Sequence, residues 1–218
     1  MRVLNHKTNL SLILFLVVSS LGTFFPVSFL SAAPRVVPFT SQAPFGDWRQ
    51  PYQDFCEEAS IVMTAHFIWG LPLSAKTADM EMQIIKTFED ATLGYSKDTS
   101  AQEVATVLKT LYGFKNVSTK EIDSSEDIIK ELRQGKIIIT PVAGRMLKNP
   151  YFVPPGPVYH MLVIKGFDEK RKTFITNDPG TRRGENFSYG QRLLFAAIHD
   201  WNNGDVMNGK KMAVLVGK

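Results

Sequence analysis

Cysteine is almost missing from this 218-residue chain, which contains one, Cys56. A lone cysteine excludes an intrachain disulfide. Its distance from the N-terminus also excludes a bacterial lipoprotein signal, which needs a cysteine at the cleavage point. Histidine is sparse as well: there are four, and no His/Cys cluster has the spacing of zinc ligands, so no metal and no other cofactor is expected. Charge is close to balanced at a net +4, too small a surplus to point to nucleic acid. Internal repeats, low-complexity tracts and interior linkers are missing too, which leaves one domain with a sizeable core.

One long apolar run is present, from Leu10 to Leu30, preceded by Arg2, His6 and Lys7 without acids and followed by Ser31, Ala32 and Ala33. Residues 1–33 read as an export segment, either a cleaved signal peptide or an anchor formed by residues 10–30. Pro34 directly after Ala33 suits cleavage poorly, so both fates stay open. The protein is expected to be exported, to an extracellular, cell-surface or periplasmic location, and to touch a membrane only through this segment. Residues 34–218 form the expected domain.

Pro34 to Phe55 is rich in Pro, Gln and aromatic residues and reads as an ordered loop, with a short candidate strand at Val36 to Phe39. A helix is expected from Cys56 to about Trp69, and because nearly every residue from Ile61 to Trp69 is apolar or small, it is expected to be central and buried on most sides. Helices are expected at about 77–92 and 101–112, the second opened by a capping box of Ser100 and Glu103, and at about 125–134. The β-branched run from Lys136 to Ala143 predicts a buried strand. Tyr159 to Phe167 and Lys172 to Asp178 predict a hairpin around the polar turn 168–171. A helix near 189–199 and a strand from Lys211 to Val216 complete the pattern. Helices first and strands later indicate an α+β fold.

Cys56 stands at the expected start of its helix, where unpaired N–H groups and the positive end of the dipole favour a thiolate. A nucleophilic sulfur needs a base. If the hairpin is centred near Glu169, His160 lies opposite Asp178, with Cβ atoms roughly 4.5–5.5 Å apart and an imidazole N–H within reach of a carboxylate. A register shifted by one would bring in Asn177 as the alternative orienter. In such a set the imidazole takes the thiol proton and later protonates the leaving amine, while the acid fixes the ring. The Cys56 backbone N–H and a glutamine amide from the preceding loop, Gln42, Gln50 or Gln53, would hold the oxyanion. His66 and His199 read as structural.

Four segments, 38–44 (Pro-Phe-Thr-Ser-Gln-Ala-Pro), 56–60 (Cys-Glu-Glu-Ala-Ser), 156–160 (Gly-Pro-Val-Tyr-His) and 177–181 (Asn-Asp-Pro-Gly-Thr), together resemble the papain-like cysteine peptidases. They are most similar to the branch of double-glycine leader peptidases of bacteriocin exporters, in a stand-alone exported form. The resemblance implies a papain-like α+β fold, an N-terminal helical part whose central Cys-bearing helix packs on a C-terminal antiparallel sheet. It also implies Cys56 as nucleophile, His160 as general base and Asp178 as its orienter. For the oxyanion glutamine the stand-alone members match Gln42 in the Ser-Gln segment, and the exporter domains match Gln50, six residues before the cysteine; Gln42 is the preferred expectation. Two departures stand out. Glu57 and Glu58 follow the cysteine where the exporter enzymes carry small residues, which reads either as helix N-terminal charge or as a binding point for a basic substrate group. No transporter bundle or nucleotide-binding motif follows the domain, so export-coupled leader cleavage is not implied.

Trp48, Gly144 and Tyr159 are expected at a substrate cleft, with Glu57 and Glu58 if they face it. The leading expectation is a hydrolase that cleaves peptide bonds of a peptide or protein through a Cys56 thioester. The alternatives are an amidase or acyltransferase on cell-wall or other non-protein amides, and an inactive domain of the same fold that holds a peptide.

Overall fold

The computed structural model describes residues 32–218. The expected export segment therefore falls almost wholly outside the described residues. Among the described residues no helix is long and apolar enough to cross a membrane. Helices α1 (Cys56–Trp69), α2 (Ala75–Thr92) and α3 (Ala101–Thr110) come first, and β1 (Val117–Glu121) and α4 (Ser125–Arg133) follow. Strands β2 (Ile137–Val142), β3 (His160–Asp168), β4 (Thr173–Asn177) and β5 (Phe187–Gly190), helix α5 (Gln191–Ala197) and strand β6 (Met212–Val216) complete the chain. The six strands form one antiparallel sheet in the order β1-β6-β2-β3-β4-β5.

The sheet is covered on both faces, and the period of two along its strands sorts the side chains. Ile137, Ile139, Met161, Val163, Val214 and Val216 join α1, α2 and α3 in one core. Ile138, Leu162, Ile164, Ala213 and Leu215 meet α4 and α5 in the other. Because β2 and β3 are buried on both sides, they read in sequence as continuous apolar runs. Helix α1 is buried without a break from Cys56 to His66, as its lack of a polar stripe requires, and Gly70 ends it in the left-handed conformation at φ 69°. The Ser100/Glu103 capping box opens α3, and Ser124 and Asp127 form a second one at α4.

Three local expectations are corrected. Residues 36–39 form no strand. Residues 189–190 belong to β5, and helix α5 starts only at Gln191. The hairpin register also differs: Val163 pairs with Asn177 and Asp168 with Thr173, with a bulge between Ile164 and Gly166. This lies two to three residues from the expected register and leaves His160 beyond the last paired position of β3 and β4. Strand β1 was not foreseen; as the polar edge strand Val-Ser-Thr-Lys-Glu it lacks the apolar signal that marks β2 and β3.

Candidate active site

Helix α1 packs against β3, which brings Cys56, the first residue of α1, to the end of the sheet where β3 begins with His160. Both residues line one cleft of about 680 Å³ with Gln42, Gln53, Trp48 and Tyr159. Phe152 and Trp201 add apolar wall, and Asp54, Lys97, Asp98 and Arg145 supply charge around it.

The His160 ring is fixed on several sides. Its Nε2 lies 2.7 Å from Oδ1 of Asp178, and Phe152 meets the ring edge-on with centroids 5.4 Å apart. The pairing foreseen between His160 and Asp178 is thus present, though cross-strand opposition does not produce it. Strand β4 stops at Asn177, and Asp178 turns off the sheet, its N–H donating to Gly184 O and its Oδ1 accepting from Gly180 N–H. Gly180 has to be glycine for this approach, since a Cβ there would come within 2.9 Å of His160 Cε1 and of Phe152. Nδ1 of His160 bonds no described residue.

Asp178 is fully buried and satisfied by two residues that sequence reasoning missed. Asn149 Nδ2 donates to its Oδ2 at 3.1 Å, and the Tyr189 hydroxyl donates to the same oxygen. Asn149 also donates to the Tyr189 oxygen at 2.7 Å. Burial alone would raise the Asp178 carboxyl. The charge and hydrogen bond of His160, with those from Tyr189 and Gly180, outweigh burial and hold the carboxyl below its ordinary value. No sequence signal marked Asn149, and Tyr189 fell in the misplaced helix.

Asn177 is excluded as the alternative orienter. Its amide donates to Val37 O and Pro38 O, and its Oδ1 accepts from Asn186 N–H, so it ties the N-terminal loop to β4. Gln42 is buried at the cleft, with Nε2 donating to Tyr52 O at 3.0 Å and Gln53 O at 2.9 Å. It thereby pins the short 3-10 turn of residues 52–54 that leads into Cys56. Gln50 is exposed and bonds Asp54. Gln53 is exposed in the cleft wall, and its side chain bonds no described residue.

Glu57 and Glu58 depart most from expectation. Neither is a surface charge nor part of the cleft wall, because the start of α1 is enclosed: Glu57 is 1% exposed and Glu58 fully buried. Cys56 Sγ donates to Glu57 Oε2 at 2.9 Å, while Glu57 Oε1 accepts no donor. Glu58 lies against Glu89 of α2, and the two carboxyls are within hydrogen-bond reach, so a proton on one can be donated to the other. Burial, and then the neighbouring carboxyls, push Glu57 up to about 8, Glu89 up to about 9 and Glu58 well above its ordinary value. The Cys56 thiol is pushed up by burial first, then by the charge and hydrogen bond of Glu57 and by the charge of Glu58; a backbone contact from Met161 works the other way.

Gly144 lies beside the cleft, where a Cβ would meet Pro157 at 2.6 Å, so it admits the loop that leads to His160. His66 is buried between Pro72 O and Glu81, and His199 bonds Gly209 O; neither lines the cleft. Among the described residues no group of three or more His, Cys, Asp or Glu could hold a metal ion.

A helix-borne cysteine that shares a cleft with a histidine on an antiparallel sheet, in an α+β domain, fits the class of papain-like cysteine peptidases. Within that class, the model of the Peptidase_C39 like family matches residues 35–203, and the chain belongs to this family. It is a cysteine-peptidase-type hydrolase. Among solved structures it is similar to a candidate C39-like peptidase from Bacillus anthracis. The TM-score is 0.53 at 16% identity, over 84% of this chain and 95% of that one, a likeness that bears on the fold alone. No curated protein matches the sequence.

Proposed function

We propose that this protein cleaves peptide bonds with Cys56 as nucleophile, His160 as general base and Asp178 as the group that orients it. The observation that carries this reading is the buried His160–Asp178 pair, at 2.7 Å, opening on the same cleft as the only cysteine of the chain. The Cys56 hydrogen passes to Nδ1 of His160, the ring nitrogen that bonds no described residue, and the sulfur attacks the carbonyl carbon. The resulting oxyanion faces the N-terminus of α1, where the Cys56 N–H is a first donor. Gln42 has to release one backbone carbonyl to be the second, whereas the Gln53 amide needs no release. His160 then gives the proton to the leaving amine, and water hydrolyses the thioester with His160 again as base.

A cleft of this size with aromatic walls and both signs of charge suits an extended peptide. Cys56–His160 chemistry serves non-protein amides equally well, so the amidase or acyltransferase reading differs only in the acyl donor. Export through residues 1–33 belongs to the same proposal, as the apolar run and small residues there support it.

Cleavage of a peptide library by the wild type and not by Cys56→Ser tests the reaction. Cut peptides that disappear with Cys56→Ser and with His160→Ala are the expected result. An intact library alongside turnover of a cell-wall amide would move the assignment to the amidase. A Cys56 that alkylates like an ordinary thiol, with no effect of His160→Ala, would leave a peptide-binding domain.

A further inference from the structure

The triad accounts for Cys56, His160 and Asp178 but leaves unused a carboxyl in direct contact with the sulfur. Glu57 Oε2 accepts the Cys56 thiol hydrogen at 2.9 Å, and the other oxygen, Oε1, is buried without a donor. If Glu57 were ionised, an anion would sit against the sulfur with half its charge unsolvated. That arrangement opposes a thiolate and costs the carboxylate its hydration. If Glu57 is neutral, its O–H is a donor positioned for a sulfur anion.

We propose that Glu57 acts as a neutral acid that donates a hydrogen bond to the Cys56 thiolate, and that its ionisation switches the nucleophile off. This rests on Cys56 being the nucleophile and His160 its base. When the thiol hydrogen moves to His160 Nδ1, Glu57 keeps its own proton. A half-turn of the carboxyl then presents the O–H to the sulfur, and no atom is gained or lost. A carboxylic acid kept neutral by its site is an established way to donate to a developing anion.

The surroundings favour the neutral form. Cys56 and Glu58 flank Glu57 on α1, Glu89 faces it from α2, and Asp54 and Asp98 lie on the loops at the cleft. Tyr159, which precedes β3, is held by Thr99 O and Asp200, and the charge of Glu57 acts on it as well. The Lys97 ammonium is taken by Asp54 at 3.4 Å. Burial, the dominant cause, puts the loss of the Glu57 proton at about pH 8.

The test is the rate of alkylation of the full chain by iodoacetamide from pH 5 to 10, for the wild type, Glu57→Gln, Glu57→Ala and His160→Ala. The wild-type rate is expected to fall above about pH 8, the value at which Glu57 ionises. Glu57→Gln keeps an N–H donor that cannot ionise, and it should lose that fall or move it up by about one pH unit or more. Glu57→Ala should react about tenfold or more slowly at neutral pH, the size expected for one hydrogen bond to a charged group. An unmoved alkaline fall in Glu57→Gln, or an unchanged neutral rate in Glu57→Ala, overturns the role of Glu57 and leaves the triad standing. No effect of His160→Ala overturns the triad and this proposal together. Infrared difference spectra of wild type minus Glu57→Gln give a check that does not depend on reactivity. A protonated-carboxyl band at pH 6 that is lost near pH 8 supports the proposal, and its absence at pH 6 ends it.

Discussion

Tyr189 of β5 gives its hydroxyl hydrogen to Oδ2 of Asp178, the carboxylate whose other oxygen takes the His160 ring. A residue from the edge of the sheet thus fixes a buried side chain behind His160 of the cleft. Burial of a carboxylate is tolerable only when its oxygens are filled, and here Tyr189, Asn149, Gly180 and His160 fill them.

Tyr189→Phe should therefore loosen the orienter without touching substrate. The expected result is a fall in kcat of about three- to tenfold at unchanged KM, the effect of losing one charge-assisted hydrogen bond. An unchanged kcat would show that Asn149 and Gly180 suffice.

Asp178 and Asn177 are neighbours with separate tasks. Asp178→Ala is expected to lower kcat by at least about a hundredfold, because His160 loses both orientation and countercharge. Asn177→Ala should instead lower thermal stability, by about 1–3 kcal/mol for buried hydrogen bonds lost between β4 and the Val37–Pro38 segment, with the pH profile of the reaction unmoved. Thermal melts and pH–rate profiles of the two variants separate them.

Gly180→Ala places a methyl group 2.9 Å from the His160 and Phe152 rings. Either ring must move, and kcat should drop by about tenfold or more from a displaced base while the fold survives. Full activity in this variant would show that the loop yields instead.

The two cleft glutamines give opposite signatures. Gln42→Ala releases the carbonyls of Tyr52 and Gln53 and should reduce both stability and activity, since it frees the turn that places Cys56. Gln53→Ala should leave stability within about 0.5 kcal/mol, as for other exposed changes. If the Gln53 amide serves the oxyanion, kcat falls by about a hundredfold; if kcat holds, Gln42 is the donor.

Glu89 and Glu58 make stability depend on pH. Each keeps a proton in the folded chain that the unfolded chain releases near pH 4.5, so stability is whole below that value and declines as pH rises, for Glu89 toward about 9 and for Glu58 through its own raised value. Asp178 acts with the opposite sign, its contribution present at neutral pH and lost as pH falls through its lowered folded value. Urea unfolding between pH 6 and 9 should show stability that falls as pH rises, with a slope that Glu89→Gln makes shallower. Equal slopes in wild type and Glu89→Gln would contradict the assignment.

Cys56 at a helix start was legible because the mostly apolar run from Ile61 to Trp69, bounded by Gly70, leaves few other structures. The same holds for β2 and β3, whose apolar runs fit only a strand buried on both faces. The hairpin register was not legible. Lys165 is taken up in a bulge, and an extra residue in one strand leaves no mark in a pattern of period two. The His160–Asp178 contact therefore arises where β4 ends and Asp178 leaves the sheet, which residue spacing alone does not encode.

Local chemistry along the chain settled the helix starts, the buried strands and the short set of groups able to act as nucleophile, base and acid. Those features depend on residues within a few positions of one another. Tertiary packing decided which partners each group met. Glu57 became a buried acid because α2 and the sheet close over the first turn of α1, and Asp178 kept its charge because Tyr189, Asn149 and His160 converge on it from separate segments. Burial and long-range hydrogen bonding fix whether a carboxyl is ionised, and both exist only once distant parts of the chain have been brought together.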